Sequence, residues 1–188
     1  MNVDAREVDA GRREAVAGAR EGATEVREAA AGVREAVAAV RDPEIRVLTI
    51  AELGILRDVQ VDGGHVTVTI TPTYSGCPAM DTIRADIRSA LHRAGYDDVE
   101  VRTVLSPPWT TDWIAESGLE KLAAAGIAPP GRVPAEVAGR VVSLSLSVRC
   151  PRCGSPDTEQ LSRFGSTACK AVWRCRACRE PFDAIKAL

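Results

Sequence analysis

The run Ile55-Leu56-Arg57-Asp58-Val59-Gln60-Val61, the link Asp62-Gly63-Gly64 and the run His65-Val66-Thr67-Val68-Thr69-Ile70-Thr71 decide the fold. Both runs are β-prone, and a Gly-Gly link between them is a hairpin signal, because tight hairpin turns need backbone that tolerates positive φ. Val66, Val68 and Ile70 alternate with Thr67, Thr69 and Thr71, so one face of the second strand is expected to be buried. A loop from Pro72 to Gly76 leads to Cys77-Pro78, with Pro78 suited to the first helical position and Cys77 to the cap. Ile83, Ile87 and Leu91 then form the apolar stripe of a helix that runs to about Ala94, where Gly95 stops it. Val99 to Leu105 predicts a third strand. Thr111 to Ala125, with Trp113, Ile114, Leu119 and Leu122, predicts a second helix ended by Gly126.

Upstream, residues 1–41 contain twelve alanines and an Arg-Glu pair every seven residues: Arg6-Glu7, Arg13-Glu14, Arg20-Glu21, Arg27-Glu28 and Arg34-Glu35. Val16, Ala19, Ala23, Val26, Ala30, Val33, Val37 and Val40 follow helical 3/4 spacing. Alanine and valine bury little area in such a seam, and each of Gly11, Gly18, Gly22 and Gly32 costs a helix about 1 kcal/mol. Residues 1–26 therefore read as a solvated, Ala/Arg/Glu-rich helical or disordered extension rather than a coiled coil. Residues 27–41 read as the first packed helix of the body, stopped at Asp42-Pro43 because the residue before proline is pushed out of the α region.

Downstream, Pro129, Pro130, Gly131, Pro134 and Gly139 mark residues 127–140 as a linker. Residues 141–188 carry two C-x₂-C pairs, Cys150/Cys153 and Cys175/Cys178, separated by 21 residues. Each pair forms a tight turn whose thiolates converge on one ion, and four thiolates suit tetrahedral Zn²⁺. Short strands are expected at Val142–Val148, Glu159–Phe164, Ala171–Arg174 and Phe182–Ile185. This is a zinc ribbon, too small to bury a sufficient core alone, so its metal is part of its folding. A four-thiolate iron centre and a disulfide pair are the rival readings. With all four ligands supplied by the protein, no open coordination position is implied and the metal is structural.

The whole-chain figures fit this division. The chain has 188 residues and a net charge of −2, distributed as −1 over residues 1–41, −5 over 42–140 and +4 over 141–188. Four thiolates on Zn²⁺ would bring the last figure to about +2. Arg149, Arg152, Arg174, Arg176 and Arg179 form no dense basic run, and aromatic residues are few in the ribbon (Phe164, Trp173 and Phe182), so nucleic-acid binding is a minor reading. No run approaches the roughly 18 apolar residues of a membrane span. The charged N-terminal residues do not read as a secretory leader, so a cytoplasmic, reducing location is expected, in which clustered cysteines mean metal or thiol chemistry.

Two cysteines fall outside the ribbon's set of four. Cys169, in Phe164-Gly165-Ser166-Thr167-Ala168-Cys169-Lys170-Ala171, is either a small buried apolar side chain or a thiol made reactive by Lys170. Cys77 is either a lone buried cysteine or, at a helix N-terminus whose dipole favours a thiolate, a nucleophile or transient soft-metal ligand. Thiol-hydrolase chemistry needs a nearby base. His92 lies about 22 Å along the same helix and cannot be one, which leaves His65 as the sole alternative.

These residues carry a resemblance. Val40-Arg41-Asp42-Pro43-Glu44-Ile45, Ile50-Ala51-Glu52-Leu53-Gly54-Ile55-Leu56, Thr71-Pro72-Thr73 and Gly76-Cys77-Pro78 resemble the small α/β family of iron–sulfur assembly factors that includes the SufT-type proteins. The Phe164–Ala171 segment and Cys178-Arg179-Glu180-Pro181-Phe182 narrow the likeness to the PaaD (PaaJ) family associated with phenylacetyl-CoA oxygenase, the ring epoxidase of aerobic phenylacetate breakdown. The likeness covers about residues 30–188. It implies an accessory or maturation role toward the iron–sulfur or di-iron centres of that oxygenase, with Cys77 as transient iron or cluster ligand and Asp42 and Glu44 flanking it. Its implied partners are subunits of the oxygenase system or the iron–sulfur assembly machinery.

What the chain lacks agrees. Neither histidine follows a Glu by three residues, as a di-iron bundle requires, and there is no G-x-G-x-x-G or plant-type ferredoxin run. A helper remains. The alternative is a purely structural or docking subunit, with the ribbon and the Trp109–Trp113 segment as its contact surface, or less readily a nucleic-acid-binding ribbon. A homodimer is an assembly the sequence leaves open. The expected fold class is α+β: a three-stranded α/β domain of the iron–sulfur-assembly type over 27–126, and a Cys₄ ribbon over 141–188.

Overall fold

The structure is a computed structural model, and it describes residues 30–130 and 148–186. The expectations for the extension (1–26), for the start of the first helix, for most of the linker and for the Val142–Val148 strand up to residue 147 lie outside those residues.

Helix α1 (30–38) buries Val33 and Val37, one helical turn apart. It ends before the Asp42-Pro43 turn, in which Arg41 bridges back to Thr49 and the Leu48 carbonyl accepts from the Asp42 N–H. Strands β1 (Leu56–Asp62) and β2 (His65–Ile70) form the expected hairpin in antiparallel register, Asp62 opposite His65 and Val59 opposite Val68. The two-residue turn works because Gly63 (φ 55°) and Gly64 (φ 94°) both sit where a side chain would be strained.

Helix α2 (Ala79–Arg93) carries the chain across to β3 (Val99–Thr103), which pairs in parallel with β2. The sheet order β1-β2-β3 thus places the threonine-rich strand in the middle. Ile83, Ile87 and Leu91 are fully buried with Val66, Val68 and Ile70 in one core; each such side chain contributes about 2 kcal/mol by burial. The helix closes as expected at Gly95: the Gly95 N–H bonds the His92 carbonyl and the Tyr96 N–H bonds that of Leu91, a Schellman end.

Three expectations change here. Both faces of β2 are largely covered, since Thr67 and Thr71 are buried as well as the aliphatic residues, as befits a central strand. The helix expected over Thr111–Ala125 is split into a 3₁₀ turn (Thr111–Trp113), capped by Thr110, and α3 (Glu116–Ala124). The break arises at Ile114 and Ala115, whose extended backbone lets the Ala115 N–H bond the Glu52 carbonyl at 2.8 Å. Ile127 and Ala128, placed in the linker by composition, form strand β4 (Ile127–Ala128) and pair in parallel with Asp183 and Ala184.

That short strand joins the ribbon to the body. The ribbon sheet runs β4-β7-β6-β5, with β5 (Thr158–Ser162), β6 (Lys170–Cys175) and β7 (Pro181–Ile185) antiparallel in sequence. Ile185 of β7 is buried in the body core, and Cys169 packs against it. The ribbon therefore sits on the body rather than swinging free of it.

Candidate functional site

The two knuckles converge. The Gly154 N–H bonds the Cys150 carbonyl, and Gly154 takes φ 72° to close the first turn. In the second, the Cys178 N–H points at Cys175 Sγ, at 3.4 Å. Cys150 Sγ lies 3.7 Å from Cys178 Sγ, Cys153 Sγ lies 3.6 Å from Cys175 Sγ, and all four sulfurs fall within 4.8 Å of one another. With Zn–S bonds of about 2.3 Å, the edge of a tetrahedral site is about 3.8 Å, so the four residues fit zinc without rearrangement. The N–H donors around the sulfurs favour thiolates. Bound there, zinc supplies the cross-link that a ribbon core of Ala128, Cys150, Cys175, Phe182 and Ala184 is too small to replace.

The ribbon's arginines face its own acids. Glu159 accepts from both Arg174 and Arg176, and Arg152 bonds Glu180 at 2.6 Å. Three of the five arginines named above are thus paired within the ribbon. The Trp109–Trp113 contact surface also loses its first member. Trp109 is buried, its indole N–H donating to the Leu53 carbonyl at 2.9 Å, and Arg57 lies 3.5 Å over the Trp113 ring.

A second constellation sits where ribbon and body meet. Asp42 is 4% exposed, and one of its oxygens accepts from the N–H groups of Glu44 (2.8 Å) and Ile45 (2.6 Å). Asp42 thus shapes the turn that projects Glu44. Burial pushes the Asp42 carboxyl up, against the pull of those two N–H groups and of Lys170. Glu44 Oε2 accepts from Cys169 Sγ at 3.8 Å, and the Thr167 hydroxyl lies 3.1 Å from the same sulfur. The Lys186 N–H holds the Cys169 carbonyl and its ammonium holds the Ala168 carbonyl, so the Cys169 loop is pinned from both sides.

Cys77 lies within electrostatic reach of this group. Pro78, not Cys77, occupies the N-cap of α2, and Cys77 is the residue before it, half-buried against the body core. The expected dipole-favoured thiolate is not what the surroundings produce. Burial pushes the Cys77 thiol up; the Ala79 N–H opposes this, and Glu44, Asp42 and Cys169 add to it. Tyr74, in the same loop, is raised by burial and then by Cys77, Glu44 and Cys169. Of the two readings of Cys169, activation by Lys170 is not what its surroundings produce. Burial dominates and raises it, the Thr167 hydroxyl opposes, Glu44 and Asp42 raise it further, and the pull of Lys170 is the smallest contribution. Lys170 itself is buried and points to Asp183, at 3.4 Å.

The structure thus brings Asp42, Glu44 and Cys169 together from distant parts of the sequence, with Cys77 within electrostatic reach of them, while among the described residues only the four knuckle cysteines lie close enough to share a metal ion. Thr71 Oγ1, at the base of the Cys77 loop, is buried with no hydrogen-bond partner among the described residues. Burial raises both thiols, which makes each a weaker nucleophile near neutral pH, and the Glu44 carboxylate stands beside Cys169.

Comparison with known proteins gives matches on both parts of the chain. Residues 30–103 match the family described as iron–sulfur cluster assembly protein, and residues 136–186 match the PaaD zinc beta ribbon domain. An Escherichia coli (strain K12) protein named as the D component of a 1,2-phenylacetyl-CoA epoxidase is 47% identical over 149 residues, 78% of this chain and 86% of that protein. An Fe-S protein maturation auxiliary factor of Porphyromonas gingivalis (strain ATCC BAA-308 / W83) is 36% identical over 83 residues, 43% of this chain and 78% of its own length. The crystal structure of a DUF59 domain from Bacillus anthracis aligns with TM-score 0.48 and 27% identity, covering 51% of this chain and 92% of that one.

Proposed function

The chain belongs to the PaaD family of phenylacetyl-CoA epoxidase components, and on that premise we propose that it is an accessory maturation factor of this multicomponent oxygenase in aerobic phenylacetate degradation. It assists assembly or insertion of the iron–sulfur or di-iron centres of its partner subunits and carries out no oxygenation itself. Its partners are subunits of that system, the iron–sulfur assembly machinery, or both. The work is done in the reducing cytoplasm, where both free thiols persist.

The observation that supports this reading is the placement of Cys77. It stands half-buried at the foot of α2, in the domain that matches iron–sulfur assembly proteins, within electrostatic reach of Glu44 and Asp42. Cys77 would be the transient ligand of the iron or cluster being delivered. Asp42 would hold the turn, and Glu44 would supply a hard oxygen donor beside the soft sulfur. Zinc, held by Cys150, Cys153, Cys175 and Cys178, keeps the ribbon folded and takes no part in delivery.

The test is Cys77→Ser in cells producing the complete oxygenase system, followed by iron and sulfide analysis of the purified oxygenase and reductase. Under-loaded partners and correspondingly low epoxidation are expected, with the zinc content of this chain unchanged. Full loading of the partners by the variant would sink the reading.

A further inference from the structure

We propose that the loop between β5 and β6 is a docking surface for a partner protein, with Phe164 as its anchor and Arg163 and Lys186 as the cations that receive an acidic segment of that partner. This rests on the function proposed above, since it gives a maturation factor the contact by which to hold its client.

Exposure picks out the loop. Among the described residues the large apolar side chains left in solvent are Val47, Leu105, Leu161 and Phe164. Phe164 is the most exposed of them, at 73%, and Leu161, at 53%, stands three residues before it, no more than about 10 Å along the chain. The ring is also held in place. The Ser162 hydroxyl accepts from the Phe164 N–H at 3.1 Å and donates to the Phe164 carbonyl at 2.8 Å. The Gly165 N–H bonds the Lys170 carbonyl at 2.8 Å, and the Ser166 hydroxyl bonds Asp183 at 3.2 Å. Lys186 fixes the far side, its N–H on the Cys169 carbonyl and its ammonium on that of Ala168. An aromatic ring on a fixed loop loses little conformational freedom on binding, which is why rigid aromatic side chains anchor interfaces.

Charge decides what the anchor meets. The ribbon's four carboxylates, Asp157, Glu159, Glu180 and Asp183, are ion-paired with Arg152, Lys170, Arg174 and Arg176. Arg149, Arg163, Arg179 and Lys186 have no carboxylate partner among the described residues. Two of these four flank the anchor: Arg163 precedes it, and Lys186 Nζ stands 4.7 Å from the centroid of its ring. An ammonium carries three donors, so Lys186 keeps some free after bonding Ala168. An apolar anchor beside uncompensated cations is complementary to an apolar side chain neighboured by carboxylates. Strand addition fits less well. β5 is the outer strand of its sheet, but its ladder is interrupted between Gln160 and Ser162, and a bulged edge is a poor template. One ring and two cations also fall short of the stacked rings and cationic groove that a nucleic-acid strand needs. The loop ends at Cys169, whose sulfur contacts Glu44 at 3.8 Å, so a partner seated on Phe164 lies no more than about 18 Å along the chain from the junction of ribbon and body.

The test places the photoreactive analogue p-benzoylphenylalanine at position 164 of the full-length chain, in cells producing the complete oxygenase system, and locates the cross-linked peptides by mass spectrometry. Cross-links to an acidic segment of an oxygenase, reductase or iron–sulfur assembly protein are expected. The same analogue in place of Leu105, 62% exposed on the body, is the control and should give none of them. Binding of the purified, zinc-loaded chain to the purified cross-linked protein is then measured. Phe164→Ala should bind about tenfold or more weakly, and Arg163→Glu about as weakly with a flatter salt dependence, at unchanged zinc content and circular dichroism. Cross-links only to a second copy of this chain, only to nucleic acid or to nothing, or wild-type binding by either variant, would overturn the docking surface. The outcome is separable from that at Cys77. A Phe164-dependent complex whose client is fully loaded in the presence of Cys77→Ser keeps the docking surface and removes the maturation role. A client under-loaded with Cys77→Ser, but without cross-links from position 164, does the reverse.

Discussion

The thiol of Cys169 donates to the Glu44 carboxylate at 3.8 Å, tying the loop before β6 of the ribbon to the turn after α1 of the body. One contact thereby couples a metal-folded module to the candidate delivery site, and the coupling makes the zinc accountable for more than the ribbon.

Zinc removal is expected to release Cys169. A ribbon whose described core is five buried residues around the knuckles loses its fold with its metal. After chelation, alkylation of Cys169 should accelerate by about tenfold or more, because local opening replaces native protection. The α2 signal in circular dichroism should persist, since its core of Ile83, Ile87, Leu91 and the β2 aliphatics does not depend on the knuckles. Equal labelling rates with and without zinc would show that the body alone holds the loop.

The reactivity of Cys77 has a definite pH dependence. An ordinary cysteine ionises near pH 8.5 and reacts as the thiolate. Burial, with Glu44, Asp42 and Cys169 nearby, raises Cys77 above that range. With no metal at the delivery site, Cys77 should therefore alkylate more slowly at pH 8 than a cysteine in a short peptide, and its rate should still be climbing where the peptide's has levelled. Glu44→Gln removes one of the raising charges and should shift the profile to lower pH. A rate plateau below the peptide's would contradict the assignment.

Parts of this architecture are legible from local pattern, and parts are not. Gly63-Gly64 between two β-prone runs marks the hairpin, the Ile83/Ile87/Leu91 spacing marks α2, and two C-x₂-C pairs mark the knuckles, because each rests on residues within a turn or two of one another. The Cys169–Glu44 contact has no such signature, since 125 residues separate its partners. The break between the Thr111 turn and α3 is set by Glu52, more than sixty residues upstream, through its carbonyl and the Ala115 N–H. One missed feature did have a local signal. Thr49-Ile50-Ala51-Glu52 is a capping-box pattern, and the structure forms it: the Glu52 N–H bonds Thr49 Oγ1 and the Thr49 N–H bonds Glu52 Oε2, each at 3.1 Å.

Gly54 is expected to be intolerant of any side chain. It takes φ 74°, and a Cβ there would lie 2.7 Å from both Trp113 Cβ and the Trp113 carbonyl oxygen. Gly54→Ala combines a left-handed backbone penalty with overpacking against backbone that cannot yield, together about 3 kcal/mol. Denaturant unfolding should show a lowered midpoint at unchanged slope. Gly63→Ala, where nothing stands within 4 Å of the added methyl group, should cost only the backbone part.

Glu52 is the clasp between the turn before β1 and helix α3, and its contribution should be pH-dependent in one direction. Besides the Thr49 capping bonds, its other oxygen accepts from Lys121 Nζ at 2.7 Å and from Ser117 Oγ at 3.0 Å. The Lys121 hydrogen bond is the main cause that lowers its pKa to about 2. A carboxylate whose folded-state pKa is depressed adds stability that is complete above its unfolded value, near 4.3, and is lost as pH falls toward the folded value. Wild type should therefore lose stability between about pH 5 and pH 2 in part through this residue. Glu52→Gln should be less stable at pH 7 by about 2 kcal/mol, the worth of a charge-assisted hydrogen bond, and should show a shallower decline across that window. Equal slopes for variant and wild type would assign the acid sensitivity to other carboxylates, such as the Glu159 that the ribbon's Arg176 and Arg174 hold below its usual range.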